Sequence, residues 1–397
     1  MVHNIVNKTY TINTYLNTFH THVVNSRKAE NMVKLKGILE WEAIGLTFIQ
    51  SIILMLFQTI KDDRTISSVY YIIVGKKSSQ TIQDIHLYNL TRFFRSYPMI
   101  KKEEFDQQIR YLENNQLLIV DYETNRATPT KKAENSVKQF INLNPYLTCL
   151  NGWQYHKIER IFWCRLDVLV QTVSNIIHYE NRFIPIQTDR TLHTWVKSYV
   201  KQWGGTRYEL SKKLYDELFQ LLHDTFPVKQ EIIIFRLSGY KHIGKTNEQI
   251  ADLLQMEKSQ YYFQFLSALH YIISHISTNK SKYPCLSELI DDNLLAEPYT
   301  NSTLRTKQLL EKNYSLEQIA QTRKLKMSTI EDHVVEIVLQ NHTFPIETFV
   351  NEHQMLAISE VIKRTQSKKL TQIKNELKDI SFFQIRLVLA RMDVGNC

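Results

Sequence analysis

Two stretches of the chain repeat one pattern. "TNEQIADLLQMEKSQYYF" opens at Thr246 and "SLEQIAQTRKLKMSTIED" opens at Ser315. Each begins with a hydroxyl residue, places a Gln three positions on, shares the phrase EQIA, and carries a Ser eight residues after its Ala (Ser259 and Ser328). Thr246 with Gln249, and Ser315 with Gln318, have the form of capping boxes: the hydroxyl satisfies a backbone N–H one turn on, and the Gln reaches back. A small residue in the first helix (Ala251, Ala320) permits close crossing, and an apolar turn residue (Met256, Leu325) plugs the core before a second helix begins. That is a helix-turn-helix. In the second copy Ser328 is expected to cap the second helix, with Glu331 completing a further capping box.

The residues just before the first copy pose a competing reading. "GYKHIGKT", Gly239 to Thr246, satisfies the phosphate-loop pattern G-x-x-x-x-G-K-[ST] letter for letter, and the apolar run "EIIIF" precedes it. Such a loop needs small residues to close on phosphate and several parallel strands behind it. Here the middle is Tyr240, Lys241, His242 and Ile243, and helical periodicity follows. Thr246 is accounted for as a helix cap, and Gly244 as a flexible residue in the turn before it. A P-loop ATPase is therefore the remote alternative, and neither a catalytic residue nor a cofactor is assigned.

Composition favours helices. Gly and Pro number only 9 and 8 among 397 residues, which disfavours a loop-rich or all-β chain. The expected fold is mainly α and multi-domain. It comprises a poorly ordered extension over 1–45, a winged-helix-like domain with a small β-hairpin over 46–135, a helical region over 136–235, and two helix-turn-helix units over 236–297 and 298–397. The apolar stretch 43–60 contains Thr47, Gln50, Ser51, Gln58 and Thr59, so a buried helix fits better than a membrane span. Cys149, Cys164, Cys285 and Cys397 stand far apart with no C-x-x-C pair, and the 14 His show no metal spacing. A reducing cytoplasm and no bound metal are expected.

Within 46–135, amphipathic helices precede "LLIVDYETNRATPTKKA", where Leu118, Val120 and Tyr122 share one strand face and "ETNR" makes the turn. Helices followed by a hairpin is the order of a winged helix, with Arg126 at the wing tip and Lys131 and Lys132 just beyond. In the helical region Ile158, Ile161, Phe162, Leu166, Leu169 and Val173 form one apolar face. The formal net charge of +9 permits an acidic partner, but the excess is spread thinly along the chain.

The phrase "NYSLEQIAQTRKLKMSTIEDHV" resembles the helicase helix-turn-helix domain found at the C-terminus of some bacterial RecQ-type DNA helicases. Asn313, Ser315, Leu316, Ile319, Ala320, Arg323, Leu325, Ser328, Thr329, Ile330, His333 and Val334 stand at its motif positions. Asn313 replaces the usual Gly and tolerates the same left-handed backbone; Val334 replaces Leu. The resemblance runs from Ser302 to Met392. With "GKKSSQTIQD" and "RLSGYKHIGKTNEQIA" upstream, the chain is similar to YpbB-like proteins, which carry this domain without a helicase motor. The resemblance implies a non-enzymatic, DNA-associated accessory protein working with a RecQ-type helicase; a helix-turn-helix transcriptional regulator is the alternative. The second motif helix is expected to expose Ser328, Thr329, Glu331, Asp332, His333 and Glu336. Carboxylates repel phosphate, so contact falls to Arg323, Lys324 and Lys326 in the turn, to Ser328 and Thr329, and to Lys363, Arg364, Lys368, Lys369 and Lys374 downstream. Such contact with DNA is non-specific and salt-sensitive, and no membrane or small-molecule substrate is implied.

Overall fold

The computed structural model describes residues 45–223, 225–291, 299–365 and 368–392. The extension read over 1–45 lies outside them apart from Gly45, as does Cys397. Helix α1 (Phe48–Ile60) has no charged residue in its first or last turn, and Ile52, Ile53, Leu54 and Leu56 are all fully buried. Two of its polar residues are satisfied at its start, which helps the helix lie in a core: Gln50 Oε1 accepts from Thr47 N, and Ser51 Oγ donates to the Thr47 carbonyl. Among the described residues no helix is long and apolar enough to cross a membrane.

Helix α2 (Ile66–Val74) stops at Gly75, whose φ of 77° places it in the left-handed region. A side chain there is excluded twice, because a Cβ would also stand 2.5 Å from Arg95 Cβ. Helices α3 (Ser79–Leu87) and α4 (Lys102–Asn114) follow, then strands β1 (Leu118–Asp121) and β2 (Arg126–Pro129). The strands pair antiparallel, Leu118 opposite Pro129 and Asp121 opposite Arg126. The turn is Tyr122–Asn125, held by Asp121 Oδ1 accepting from Glu123 N and Thr124 N. Tyr122 therefore belongs to the exposed turn and not to the strand face with Leu118 and Val120. A bridge from Thr65 to Arg126 adds a third short segment to the hairpin, completing a winged-helix-like unit.

The described chain divides into two compact units, with breaks after Ile52 and Glu134 and a return near residue 295. The first unit takes most of α5 (Lys131–Leu143), then α6 (Gly152–Tyr155), α7 (Glu159–Ile176), α8 (Arg190–Gln202), α9 (Arg207–His223), α10 (Glu231–Ile234), α11 (Asn247–Leu254), α12 (Lys258–Thr278) and α13 (Pro284–Ser287). One continuous apolar core joins α7, α9 and α12, so the first helix-turn-helix (α11 and α12) shares its interior with the helical region before it. Ile158 at the cap of α7 and Phe162, Leu166, Leu169 and Val173 along it face that core, whereas Ile161 is 37% exposed. It sits one residue before Phe162, rotated off the buried stripe.

The second unit joins the rest of α1, α2–α4 and the hairpin to α14 (Asn301–Leu310), α15 (Leu316–Arg323), α16 (Met327–Gln340), α17 (Glu352–Thr365), α18 (Leu370–Glu376) and α19 (Phe382–Met392). At its centre is α16, packed by α14, α15, α19 and α3. The winged-helix-like lobe and the C-terminal helices thus form one body.

Candidate nucleic-acid interface

Both helix-turn-helix copies are built by the same local chemistry. Thr246 Oγ1 accepts from Gln249 N at 3.3 Å while Gln249 Oε1 accepts from Thr246 N at 3.0 Å. Ser315 and Gln318 repeat this at 3.3 and 2.8 Å. Each first helix then ends on a non-glycine residue in the left-handed region, Gln255 at φ 54° and Lys324 at φ 53°. The next N–H turns back onto the last turn in both, Met256 N to the Ala251 carbonyl (2.9 Å) and Leu325 N to the Ala320 carbonyl (3.0 Å). Asn313 closes the preceding helix the same way, at φ 61°.

The second helix of the second copy differs from its sequence reading. Its N-cap is Lys326, so Ser328 lies inside the first turn and caps nothing. Glu331 faces Arg386 Nη2 at 3.9 Å instead of completing a capping box, and Asp332 pairs with Arg386 Nη1. His333 and Glu336, read as exposed, are buried. The reason is that α14, α19 and α3 cover the faces of α16 that α15 leaves open.

These buried polar groups form one network. Glu336 Oε1 accepts from the Thr300 N–H at the start of α14 (2.6 Å), and Oε2 accepts from the Thr303 hydroxyl (2.6 Å). Burial raises the Glu336 pKa above the ordinary carboxyl value, against the pull of these donors. His333 Nδ1 lies 2.8 Å from Thr306 Oγ1 and 3.3 Å from Arg323 Nη1. Burial, and then the Arg323 charge, push His333 down to about 4, so it is neutral at pH 7. Arg323 also donates to the Ser302 carbonyl (2.8 Å), to Ser302 Oγ (2.9 Å) and to Thr306 Oγ1. Its guanidinium therefore locks α15 onto α14.

Several other candidate cations are engaged inside the second unit. Lys369 Nζ binds Asp62 Oδ2 at 2.7 Å and holds that carboxyl below its usual range, Lys368 Nζ donates to the Leu87 carbonyl, and Arg364 pairs with Glu376. Arg126 Nη1 donates to the Asp62 carbonyl at 2.7 Å, beside the turn and not at its tip. Lys131 and Lys132 open α5, beyond the far end of the hairpin, and Lys132 Nζ reaches the Asn115 carbonyl. Lys374 Nζ donates to the Lys378 and Ile380 carbonyls, and Lys363 is exposed in the last turn of α17.

What remains open is the turn itself. Lys324, Lys326 and Ser328 are exposed, Thr329 is half-buried, and no side chain caps the N-terminus of α16 between them. Arg305 on α14, which sequence reading passed over, is exposed and close enough to Arg323 to depress its pKa after burial has done so. Only the three-dimensional approach of α14 to the end of α15 brings it there. Uncapped N–H groups flanked by cations attract phosphate oxygens. From Ile330 to Leu339, apart from the partly covered Glu331 and Asp332, the helix is internal, so base edges are out of its reach.

The phosphate-loop match has a different local structure. Gly239 N and His242 N exchange hydrogen bonds with each other's carbonyls, Tyr240 N donates to Ser174 Oγ (2.8 Å), Gly244 N to Ser238 Oγ (3.0 Å) and Lys245 N to the Phe235 carbonyl (2.7 Å). These N–H groups thus have protein acceptors and are not open to cradle phosphate. Gly244 is required for closeness more than for flexibility: a Cβ there would stand 2.0 Å from the Arg236 carbonyl oxygen. Among the described residues the β-hairpin is the one sheet, and no group of three or more His, Cys, Asp or Glu gathers to hold a metal ion.

Residues 302–389 match a family described as "Helix-turn-helix domain". Over 350 residues, 88% of this chain and 98% of the relative, the sequence is 30% identical to Protein YpbB of Bacillus subtilis (strain 168). No solved structure matches.

Proposed function

This chain belongs to the YpbB family, and we propose that it serves as a non-enzymatic, DNA-associated accessory protein that works with a RecQ-type helicase. The observation that carries the DNA contact is the turn of the second helix-turn-helix. There Lys324 and Lys326 stand exposed around an uncapped helix start. The buried body of α16 favours backbone contact over base reading, and with it an accessory role over an operator-specific regulator. The helicase partner rests on the resemblance of Ser302–Met392 to the domain at the end of RecQ-type helicases.

Anisotropy of a labelled duplex tests the contact. Lys324→Glu with Lys326→Glu should weaken duplex binding by about tenfold or more in low salt and flatten the salt dependence by about two charges. Equal affinity of wild type and variant would remove the support. Co-purification with the cell's RecQ-type helicase tests the partner. For the absence of nucleotide chemistry, ATP with magnesium should leave the melting temperature of both wild type and Lys245→Ala unchanged; a shift that depends on Lys245 would restore the ATPase reading.

A further inference from the structure

The part of the phosphate-loop match that helix capping does not explain lies on the surface of the first unit. The turn that closes α7 reaches Tyr179, which occupies the left-handed position (φ 58°) that Gly or Asn usually fills, with Tyr179 N donating to the Ile176 carbonyl and Glu180 N to the Asn175 carbonyl. Tyr179 is 92% exposed, so its ring contributes nothing to the core while its backbone is strained. One residue earlier, His178 is also exposed, and its ring stacks on Tyr240 of the "GYKHIGKT" turn with centroids 4.4 Å apart and planes at 12°. One residue anchors both partners of the stack: the His178 ring Nδ1–H donates to the Ser174 carbonyl and the Tyr240 backbone N–H to Ser174 Oγ, each at 2.8 Å. Lys241 is a second exposed residue in the left-handed region (φ 56°), with its ammonium 5.1 Å from the Tyr240 ring centre. Arg182 is exposed just beyond Tyr179; the nearby carboxylate, Glu180, accepts from the Arg182 N–H.

We infer that this surface is a stacking platform for single-stranded DNA. Aromatic rings at the surface, here Tyr179 and His178 exposed and Tyr240 half-buried, interleaved with cations are what unpaired bases and their phosphates require, since every base offers a π-face once it is out of a duplex. A duplex hides those faces, so the platform discriminates against it. Protein partners fit less well: a cation stands over a ring at Tyr240–Lys241, and a second exposed ring, Tyr179, and a second exposed cation, Arg182, lie three residues apart in the adjoining turn. The inference rests on the proposed association with DNA but uses a different unit and a different chemistry from the Lys324–Lys326 turn.

Anisotropy titrations of the full chain with a labelled oligo(dT), its oligo(U) counterpart and a duplex test it. Tyr179→Gly relieves the left-handed strain, so its melting temperature should match or exceed that of wild type while oligo(dT) affinity falls about tenfold. Lys241→Glu with Arg182→Glu should lower oligo(dT) affinity by a comparable factor and leave duplex binding through the second unit in place. Unchanged oligo(dT) binding in both variants, or a wild type that binds duplex but no oligo(dT), overturns the platform and leaves the proposed function standing. A wild type that binds neither overturns both, and tighter binding of oligo(U) than oligo(dT) overturns the assignment to DNA.

Discussion

The two helix-turn-helix copies have the same skeleton and opposite turns. In the first, the residue before the second helix is Glu257, whose Oε2 accepts from Phe48 N at 2.9 Å, while the Phe48 ring packs on Phe263 and Phe140. The turn is thereby tied to the chain's own α1 through a carboxylate, although Gln255 and Glu257 themselves stay exposed. In the second, the matching residue is Lys326, exposed, with Lys324 in place of Gln255. One motif is a structural joint and the other a basic outlet. The difference teaches that capping and turn geometry specify a motif, whereas its role depends on the charge the turn carries and on what that charge already binds.

The interiors differ as well, and the largest expected effect lies there. Glu336→Ala should cost about 4 kcal/mol in urea melts of the second unit, because the Thr300 N–H and the Thr303 hydroxyl lose their acceptor and a void opens. The matching residue in the first copy is Ser267, buried with no partner for its hydroxyl, so Ser267→Ala should change stability by less than about 1 kcal/mol. Similar costs at both sites would break the contrast.

A second test uses pH. The folded pKa of His333, about 4, lies below its ordinary 6.5, so the unfolded chain binds the extra proton and stability is lost as pH falls through that window. The first copy carries Gln264 at the matching position. His333→Gln should therefore spare the second unit about 3 kcal/mol of acid destabilisation between pH 6.5 and 4. Asp167 in the first unit works in the opposite sense. Burial pushes it up to about 6, so its ionisation penalty appears as pH rises from 3.8 to 6 and is absent in acid. Mild acid should accordingly loosen the second unit before the first, as read by hydrogen exchange; simultaneous loosening, or the reverse order, would sink this.

The smallest effect should be the same in both copies. Gln255→Gly and Lys324→Gly each relieve a left-handed residue and should raise stability by about 1 kcal/mol in thermal melts, the second also weakening duplex binding. A stabilised Lys324→Gly that keeps full duplex affinity would show that the turn lysine is not part of the contact.

Much of this architecture was legible in the sequence because the signals are local. Thr246, Gln249, Ser315 and Gln318 act within one helical turn, and Asn313 and Gly75 end helices through their own backbone preference. The candidate interface was less legible. Arg323 and Lys369 read as free cations, and His333 and Glu336 as a polar outer face, since a sequence window shows a side chain's charge but not its partner.

Helix positions, the duplicated motif and the β1–β2 hairpin were therefore determined by the order of residues, through contacts three or four positions apart. Which charges face water was decided only by the tertiary structure: Lys369 meets Asp62 across 307 residues, Lys368 meets Leu87 across 281 and Gln340 meets His86 across 254. The physical reason is desolvation: taking a charged or strongly polar group out of water costs most when no partner meets it, and for these groups the partner comes from the far end of the chain.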